Sequence, residues 1–535
     1  MRSAPVRNSV VALAISCIGR LAVAQTPAAP APAPEASPPP APTPPPAEAP
    51  PPPPPAPPVL AAPEPQLPPP SPPEPTRSAI STPLAPPAPA PQPTIAVTSK
   101  FGIILYGFAE LDSIWDSTQS FNEIIGGNPI AHTPGPTTAA PNPATPWAAD
   151  HGRTQFSARY SRLGLKLKGP DSDNIKTSGQ FEFDFFGNQP QSNPTPVAPV
   201  GTSGIPTVSE NSFYTNATPR IRQAWVKIET PIVDVTAGQT WQLFGWQSYF
   251  APNSVEIQGI PGQLNSRTPQ LRISKTLKTD AVVLDLAAAA SRPVQRDSEI
   301  PDGALGIRLS LPGWKGMHTL GATGSAVDAA SLGFSTIGRK IRVPNFSTAP
   351  TQTISLNGYG YSLDLLLPIV PDKDVLHPDN ALTLNASFIY GQSIADIYQN
   401  LSGGATVGAL PNNAAGAAQN YPQDVDNGLV GFTSNGVLHA IRWESALVGL
   451  QYYLPTPNRM FISANYSHMY SSDISALGAT SAKLFNKSDF VDGNLFVEAN
   501  QAVRFGLEYA WYQQKFLDGS TAKNNRIQFS AFYIF

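Results

Sequence analysis

Arg526-Ile527-Gln528-Phe529-Ser530-Ala531-Phe532-Tyr533-Ile534-Phe535 is the stretch that decides the fold class. Successive side chains of an extended chain point to opposite sides, so Ile527, Phe529, Ala531, Tyr533 and Phe535 share one face. Arg526, Gln528 and Ser530 lie on the other. A wall strand of a transmembrane β-barrel needs this alternation, apolar toward lipid and polar toward a lumen. The aromatic Phe535 puts a ring where amphipathic rings prefer to sit, at the membrane interface. The last strand of a soluble sandwich satisfies the same ten residues, so the rest of the chain has to discriminate.

Of the 535 residues 41% are hydrophobic and only 13% are charged, about half the charged fraction of globular proteins. A net charge of −3 and the lack of any Lys/Arg run exclude a nucleic-acid-binding stripe. Nowhere do eighteen apolar residues run together, so the expected membrane crossing is by strands and not by a helix.

The N-terminus reads as a secretory signal peptide over 1–24: Arg2 and Arg7, an apolar stretch from Val10 to Ile15, and Ala22-Val23-Ala24 as the cleavage site. The only cysteine, Cys17, invites a lipoprotein reading, but Ala14-Ile15-Ser16 lacks the leucine expected three residues before it. Cleavage after Ala24 leaves no thiol for a disulfide, a metal or a nucleophile. Residues 25–95 are dominated by proline and alanine with almost no charge. Such a segment forms no core and extends as polyproline II, reaching on the order of 200 Å at ~3.1 Å per residue. It is read as a disordered spacer, long enough to contact the cell wall.

From 96 to 535 the expected fold is all-β, a transmembrane antiparallel barrel of about sixteen strands. The strands are placed near 102–115, 154–168, 176–186, 219–229, 233–242, 268–275, 280–290, 303–311, 316–326, 353–367, 381–392, 437–453, 459–469, 488–499, 502–513 and 523–535. Connections alternate short and long, with tight turns at Gly169–Asn174, Thr230–Ile232, Thr276–Thr279, Pro312–Lys315, Pro455–Asn458 and Asn500–Gln501. Short turns on one side and long loops on the other place both termini with the turns, on the periplasmic side. The connection 369–380 is the one long turn on that side.

Faces follow from parity. Arg504 and Glu508 alternate with Val503, Phe505, Leu507, Tyr509 and Trp511, and Gln180, Glu182 and Asp184 with Phe181, Phe183 and Phe185. Arg442 and Glu444 alternate with Ile441 and Trp443 in the same way, and all these charges are assigned to the lumen. Two sheets of a sandwich would need apolar faces that cover each other, and no comparable set of core strands is present. Sixteen strands leave an aqueous channel.

Tyr160-Ser161-Arg162-Leu163-Gly164-Leu165-Lys166 with Ser178-Gly179-Gln180-Phe181-Glu182-Phe183 resembles the second and third strands of general diffusion porins. Arg222-Gln223-Ala224-Trp225-Val226, followed by Ala237-Gly238-Gln239-Thr240-Trp241, resembles their next hairpin. The run Gly238–Phe244 and the extended N-terminus look most like the DcaP-like branch, whose members are trimeric sixteen-stranded porins passing small anions. This chain departs in carrying a proline spacer where better-known members have a coiled coil. The resemblance implies a homotrimer in outer-membrane lipid of a Gram-negative cell, small solutes as partners, and no cofactor. It implies that the third loop, 243–267, folds into the lumen and opposes basic wall residues. Arg162, Arg222, Glu256, Arg267 and Arg272 are the expected constriction residues, and Glu110, Glu182, Asp184, Arg504 and Glu508 the expected lumen-facing ones. The parity of Arg159 puts it with Leu163 and Leu165 unless a bulge intervenes.

The six histidines have no ligand spacing, and Asp424-Val425-Asp426-Asn427-Gly428 opens like a calcium loop without its closing glutamate. No enzyme motif sits in a strand-turn-helix context. The resulting expectation is passive diffusion of small hydrophilic, anionic solutes. The alternatives are a channel selective for small carboxylates or phosphate, and a tether between envelope and cell wall.

Overall fold

The computed structural model describes residues 101–121, 123, 130–132, 146–170, 172, 174–187, 217–246, 255, 262–295, 298–321, 324–378, 380–398, 415–416, 425–426, 428–455, 459–477 and 485–535. The signal peptide, the spacer and Glu256 lie outside them.

The wall begins with β1 (Gly102–Asp116), β2 (Arg153–Ser157), β3 (Arg162–Lys168), β4 (Lys176–Asp184), β5 (Arg220–Glu229) and β6 (Asp234–Trp241). It continues through β7 (Arg267–Lys278), β8 (Val283–Ser291), β9 (Asp302–Thr319), β10 (Ser325–Pro344), β11 (Thr353–Val370) and β12 (Leu382–Gln392). A small hairpin, β13 (Val430–Phe432) and β14 (Leu438–Ala440), stands apart from it. The wall ends with β15 (Arg442–Tyr453), β16 (Met460–Tyr470), β17 (Phe485–Glu498), β18 (Val503–Phe516) and β19 (Thr521–Ile534).

β2 and β3 both pair with β1 and together make one wall strand, so the sheet is a sixteen-stranded antiparallel barrel. It closes where β1 pairs with β19, from Phe108 opposite Ile534 to Asp116 opposite Arg526. Among the described residues the closed wall leaves no edge strand to expose backbone polar groups, which the hydrocarbon core of a membrane requires. The expected alternation holds: Ile527 and Phe529 on the outside are exposed, while Arg526, Gln528 and Ser530 inside are fully buried. Leu271, Ile273, Leu305, Leu363, Leu507 and Tyr509 continue the exposed apolar exterior. A surface of this extent suits lipid, not water.

One expected turn is absent. β9 runs through Pro312–Lys315 to Thr319, and β10 starts at Ser325, so the expected strand 316–326 is divided between the two. The register passes from Leu311 opposite Ala330 to Lys315 opposite Ala329, which leaves Pro312, Gly313 and Trp314 as a bulge. Pro312 has no N–H to donate and is tolerated where the ladder is interrupted. β10 then extends to Pro344 through residues expected to be loop, and the connection to β11 shrinks to 345–352.

A second correction concerns the far end of β15. Ser445 on the same face as Trp443 donates to the carbonyl of Gly262 inside the barrel, so Trp443 points inward and Arg442 and Glu444 point outward. Trp443 is fully buried and its Nε1 donates to the Gly428 carbonyl at 3.1 Å. The loop that fills this end of the barrel demands an apolar inner face there.

Candidate functional site: an arginine cluster facing an inserted loop

Two bulges build the site. Residues 109–111 of β1 face four residues, 158–161, between the pairs Asp112–Ser157 and Phe108–Arg162. The extra residue reverses parity, so Ser157, Arg159 and Arg162 all point inward. A bulge re-aims side chains in this way. Arg159 is 2% exposed and pairs with Glu123 at 3.0 Å. On β5, Gln223 pairs with Glu182 and Ile221 with Phe183, leaving Arg222 without a counterpart. Arg220, Arg222 and Gln223 therefore all reach the interior.

The two re-aimed segments meet on β4. Arg222 donates to Glu182 at 2.9 Å and to Asp184 at 2.8 Å, and Arg220 grips Asp184 through two bonds of 2.9 and 2.6 Å. The Tyr106 hydroxyl donates to the second oxygen of Glu182 at 2.8 Å. Both carboxylates are therefore committed to Arg220 and Arg222. Arg162 stands 3.7 Å from Glu182, lies over the Phe108 ring, and keeps Nε and Nη2 buried without a hydrogen-bond partner among the described residues. Arg267 lies over the Trp241 ring with Nη1 in the same condition. Four guanidinium groups against two carboxylates leave this cluster with a formal surplus of +2.

The remaining sequence candidates lie elsewhere on the wall. Arg272 is tied to the carbonyl of Trp241 at 2.5 Å and to Gln270. Glu110 and Glu508 are buried on β1 and β18, and Arg504 pairs with Glu498 near the short-turn end. The hairpin of β5 and β6 requires Gly238, whose φ is +126° and whose added Cβ would stand 2.3 Å from the Ala224 carbonyl oxygen. That close approach explains the glycine in the Gly238–Trp241 run.

The described residues of the third loop, 242–246, 255 and 262–266, lie in the lumen. Its start lies on the inner wall of β8–β11: Leu243 packs on Ala287, Ala289 and Ala304, and the Gly245 N–H donates to Ser335 Oγ at 2.8 Å. Val255 is fully buried and its N–H donates to Glu508 at 2.9 Å. The Gly262 carbonyl accepts from Ser445, and the Asn265 N–H reaches the Ile397 carbonyl at 3.0 Å. The loop thus touches β10, β15 and β18 before it returns to β7. The arginine cluster on β3–β7 is the wall opposite these contacts. Small inward residues at Ala287, Ala289, Ala304, Gly306 and Gly360 seat it, since a Cβ on Gly306 would come within 2.7 Å of Trp246 and one on Gly360 within 2.6 Å of Phe244. Small side chains alternating on an inner face are a sequence signal for such a seat, one that strand parity alone does not reveal.

The chain is similar to the solved outer membrane channel DcaP of Acinetobacter baumannii, with 17% identity and a TM-score of 0.55 over 81% of this chain and 97% of that one. It has the fold of an outer-membrane channel. The DcaP resemblance read from Gly238–Phe244 is therefore borne out at the level of fold. Weaker similarity extends to an anion-selective porin from Comamonas acidovorans, with 10% identity and a TM-score of 0.41 over 81% of this chain and all of that one. A Salmonella typhi OmpF in complex with daunomycin gives 10% identity and 0.42 over 83% and 100%. No protein-family model and no curated protein matches the chain.

Proposed function

We propose that this barrel is an outer-membrane porin through which small hydrophilic solutes diffuse passively, with a preference for anions. The observation that carries the reading is the surplus of guanidinium groups at Arg162, Arg220, Arg222 and Arg267, on the wall opposite the inserted third loop. Fixed cationic groups in a narrow, partly desolvated passage concentrate anions and lower their barrier. In this reading Arg162 and Arg222 line the eyelet with Arg267, Arg272 extends the basic wall, and Glu256 of the third loop belongs to the same candidate set. The alternating connections support periplasmic termini. The spacer would then lie in the periplasm within reach of the cell wall, and the apolar exterior would accommodate a homotrimer. The test is single-channel current of the full-length mature protein under a salt gradient. Open steps in groups of three with an anion-side reversal potential support the reading; a folded protein that never conducts refutes it and favours the envelope tether.

One observation favours a more selective channel, for small carboxylates or phosphate. Arg162 and Arg267 bury N–H groups that have no hydrogen-bond partner among the described residues. Guanidinium groups in that state suit a planar or tetrahedral oxyanion. Saturation of the current by one such anion distinguishes this reading from general diffusion.

A further inference from the structure

The bulge at Pro312–Trp314 has a geometric consequence at the opposite end of the barrel from the long loops. Beyond it, the inner end of β9 and the following turn leave the wall. The Thr383 hydroxyl on β12 donates to the Met317 carbonyl at 2.7 Å. Gln451 on β15 accepts from the Thr319 N–H at 2.9 Å, and the Thr319 hydroxyl bonds the Tyr453 hydroxyl. Arg504 on β18 donates to the carbonyls of Leu320 and Gly321. In the sheet, β18 stands six places from β10. At about 4.8 Å per strand that is ~29 Å around the wall, so these bonds form only if the turn crosses the lumen.

The crossing is held as firmly as a core. Met317 is fully buried in one apolar cluster with Tyr453, Phe461, Phe496 and Phe532, and Val255 of the third loop joins the same cluster. Gly316 passes so close to Pro368 that an added Cβ would lie 2.3 Å from its ring. Trp314 anchors the bend by donating from Nε1 to the Pro368 carbonyl at 2.7 Å, and Lys315 accepts from the Asp372 N–H at 3.1 Å.

We propose that Gly316–Gly321 is a second narrowing of the channel, at its short-turn mouth, and that it sets the size limit in series with the third loop. The inference rests on the channel reading above. Charge selection belongs to the arginine cluster; this segment carries His318, tied to Asp328 at 2.6 Å, among otherwise neutral groups, and selects by size.

The test uses the full-length protein in planar bilayers and in liposome swelling with neutral sugars of increasing size. Because Leu311 and Ala330 are direct partners, replacing 312–329 by Asn-Gly closes the hairpin with a two-residue turn. Conductance and exclusion limit are expected to rise while the sign of the reversal potential stays the same. A folded, conducting variant with an unchanged limit overturns the proposal and leaves the segment a strut. A second variant preserves the bend: Leu320→Cys, treated from the short-turn side with a bulky thiol reagent, should lose conductance in steps, with the parent protein as control. Full-size current after labelling overturns the proposal as well. If the parent is closed and the shortened hairpin conducts, the segment is a complete block and not a size limit, which overturns the proposal. If neither conducts, the channel reading fails and takes this inference with it.

Discussion

Replacing Arg162 and Arg267 together by glutamine removes two charges from a cluster whose formal surplus is +2, and should abolish its anion preference. An ion passing about 7 Å from a fixed unit charge in water feels ~0.6 kcal/mol, and screening at 0.1 M salt leaves about half of that. Two surplus charges then give roughly 0.6 kcal/mol, which enriches anions about threefold, depletes cations similarly, and sets an anion-to-cation ratio on the order of 7. The double variant should fall to a ratio near one. Neither arginine is a main partner of Glu182 or Asp184, which Arg220 and Arg222 hold, so the wall should stay intact. The assay is reversal potential in a bilayer under a tenfold salt gradient, with single-channel conductance measured in the same records. An unchanged potential at normal conductance would refute the assignment and place the selectivity in groups other than this cluster.

Arg222→Ala should behave differently, because it leaves Glu182 and Asp184 facing each other with a buried partner missing. A loss of about 3–5 kcal/mol is expected, read as a lower midpoint in urea unfolding from detergent. Gly238→Ala places a side chain at φ +126° against the Ala224 carbonyl and should destabilise by more than ~1 kcal/mol, seen as a lower temperature for loss of the folded band in gels. Glu299 is held below the usual carboxylate range by the hydrogen bond from Lys340 and the charge of Arg342. Its lowered value means that its hold on its loop is present at neutral pH and lost as pH falls through that value, so the protection of loop amides relative to their intrinsic exchange rates should fall in acid and be pH-independent in Glu299→Gln. A Cβ at Gly506 would stand 3.0 Å from Val255, so Val255→Cys with Gly506→Cys should oxidise to a disulfide that pins the third loop to β18 without loss of current. Failure to cross-link in folded protein would remove the loop from that wall.

Much of the wall was legible because lipid imposes a two-residue period that no turn or loop shares. The strand count and the closing strand both follow from that alternation. The features that escaped are those where a local rule lost to a distant contact. Pro312-Gly313 is a strong turn signal, yet Lys315 resumes pairing with Ala329 because the strand beyond has partners across the lumen. Parity alone misplaces Arg159, since one inserted residue turns every later side chain to the other face. Trp443 is inward because the loop packed beside it needs an apolar face, a demand invisible in the strand itself.

The interior explains why a barrel wall with a polar lumen carries large rings at inward positions. Tyr453, Phe461, Phe496 and Phe532 are nearly or fully buried, under Val255 from one insertion and Met317 from the other. That side of the barrel is packed as a protein core, in which rings at 4.7–5.1 Å, such as Phe461 with Phe496 and with Tyr453, contribute both area and geometry. On β3–β7 the inward positions are instead mostly charged and polar, with Arg162, Glu182, Asp184, Arg222 and Gln270 among them and Trp225 opposite Gln180 as a large ring. The same sequence therefore makes one half of its lumen a seat for its own chain and leaves the other half to be hydrated. On the proposed channel reading, a solute crosses along that half, past the guanidinium groups of Arg162, Arg222 and Arg267.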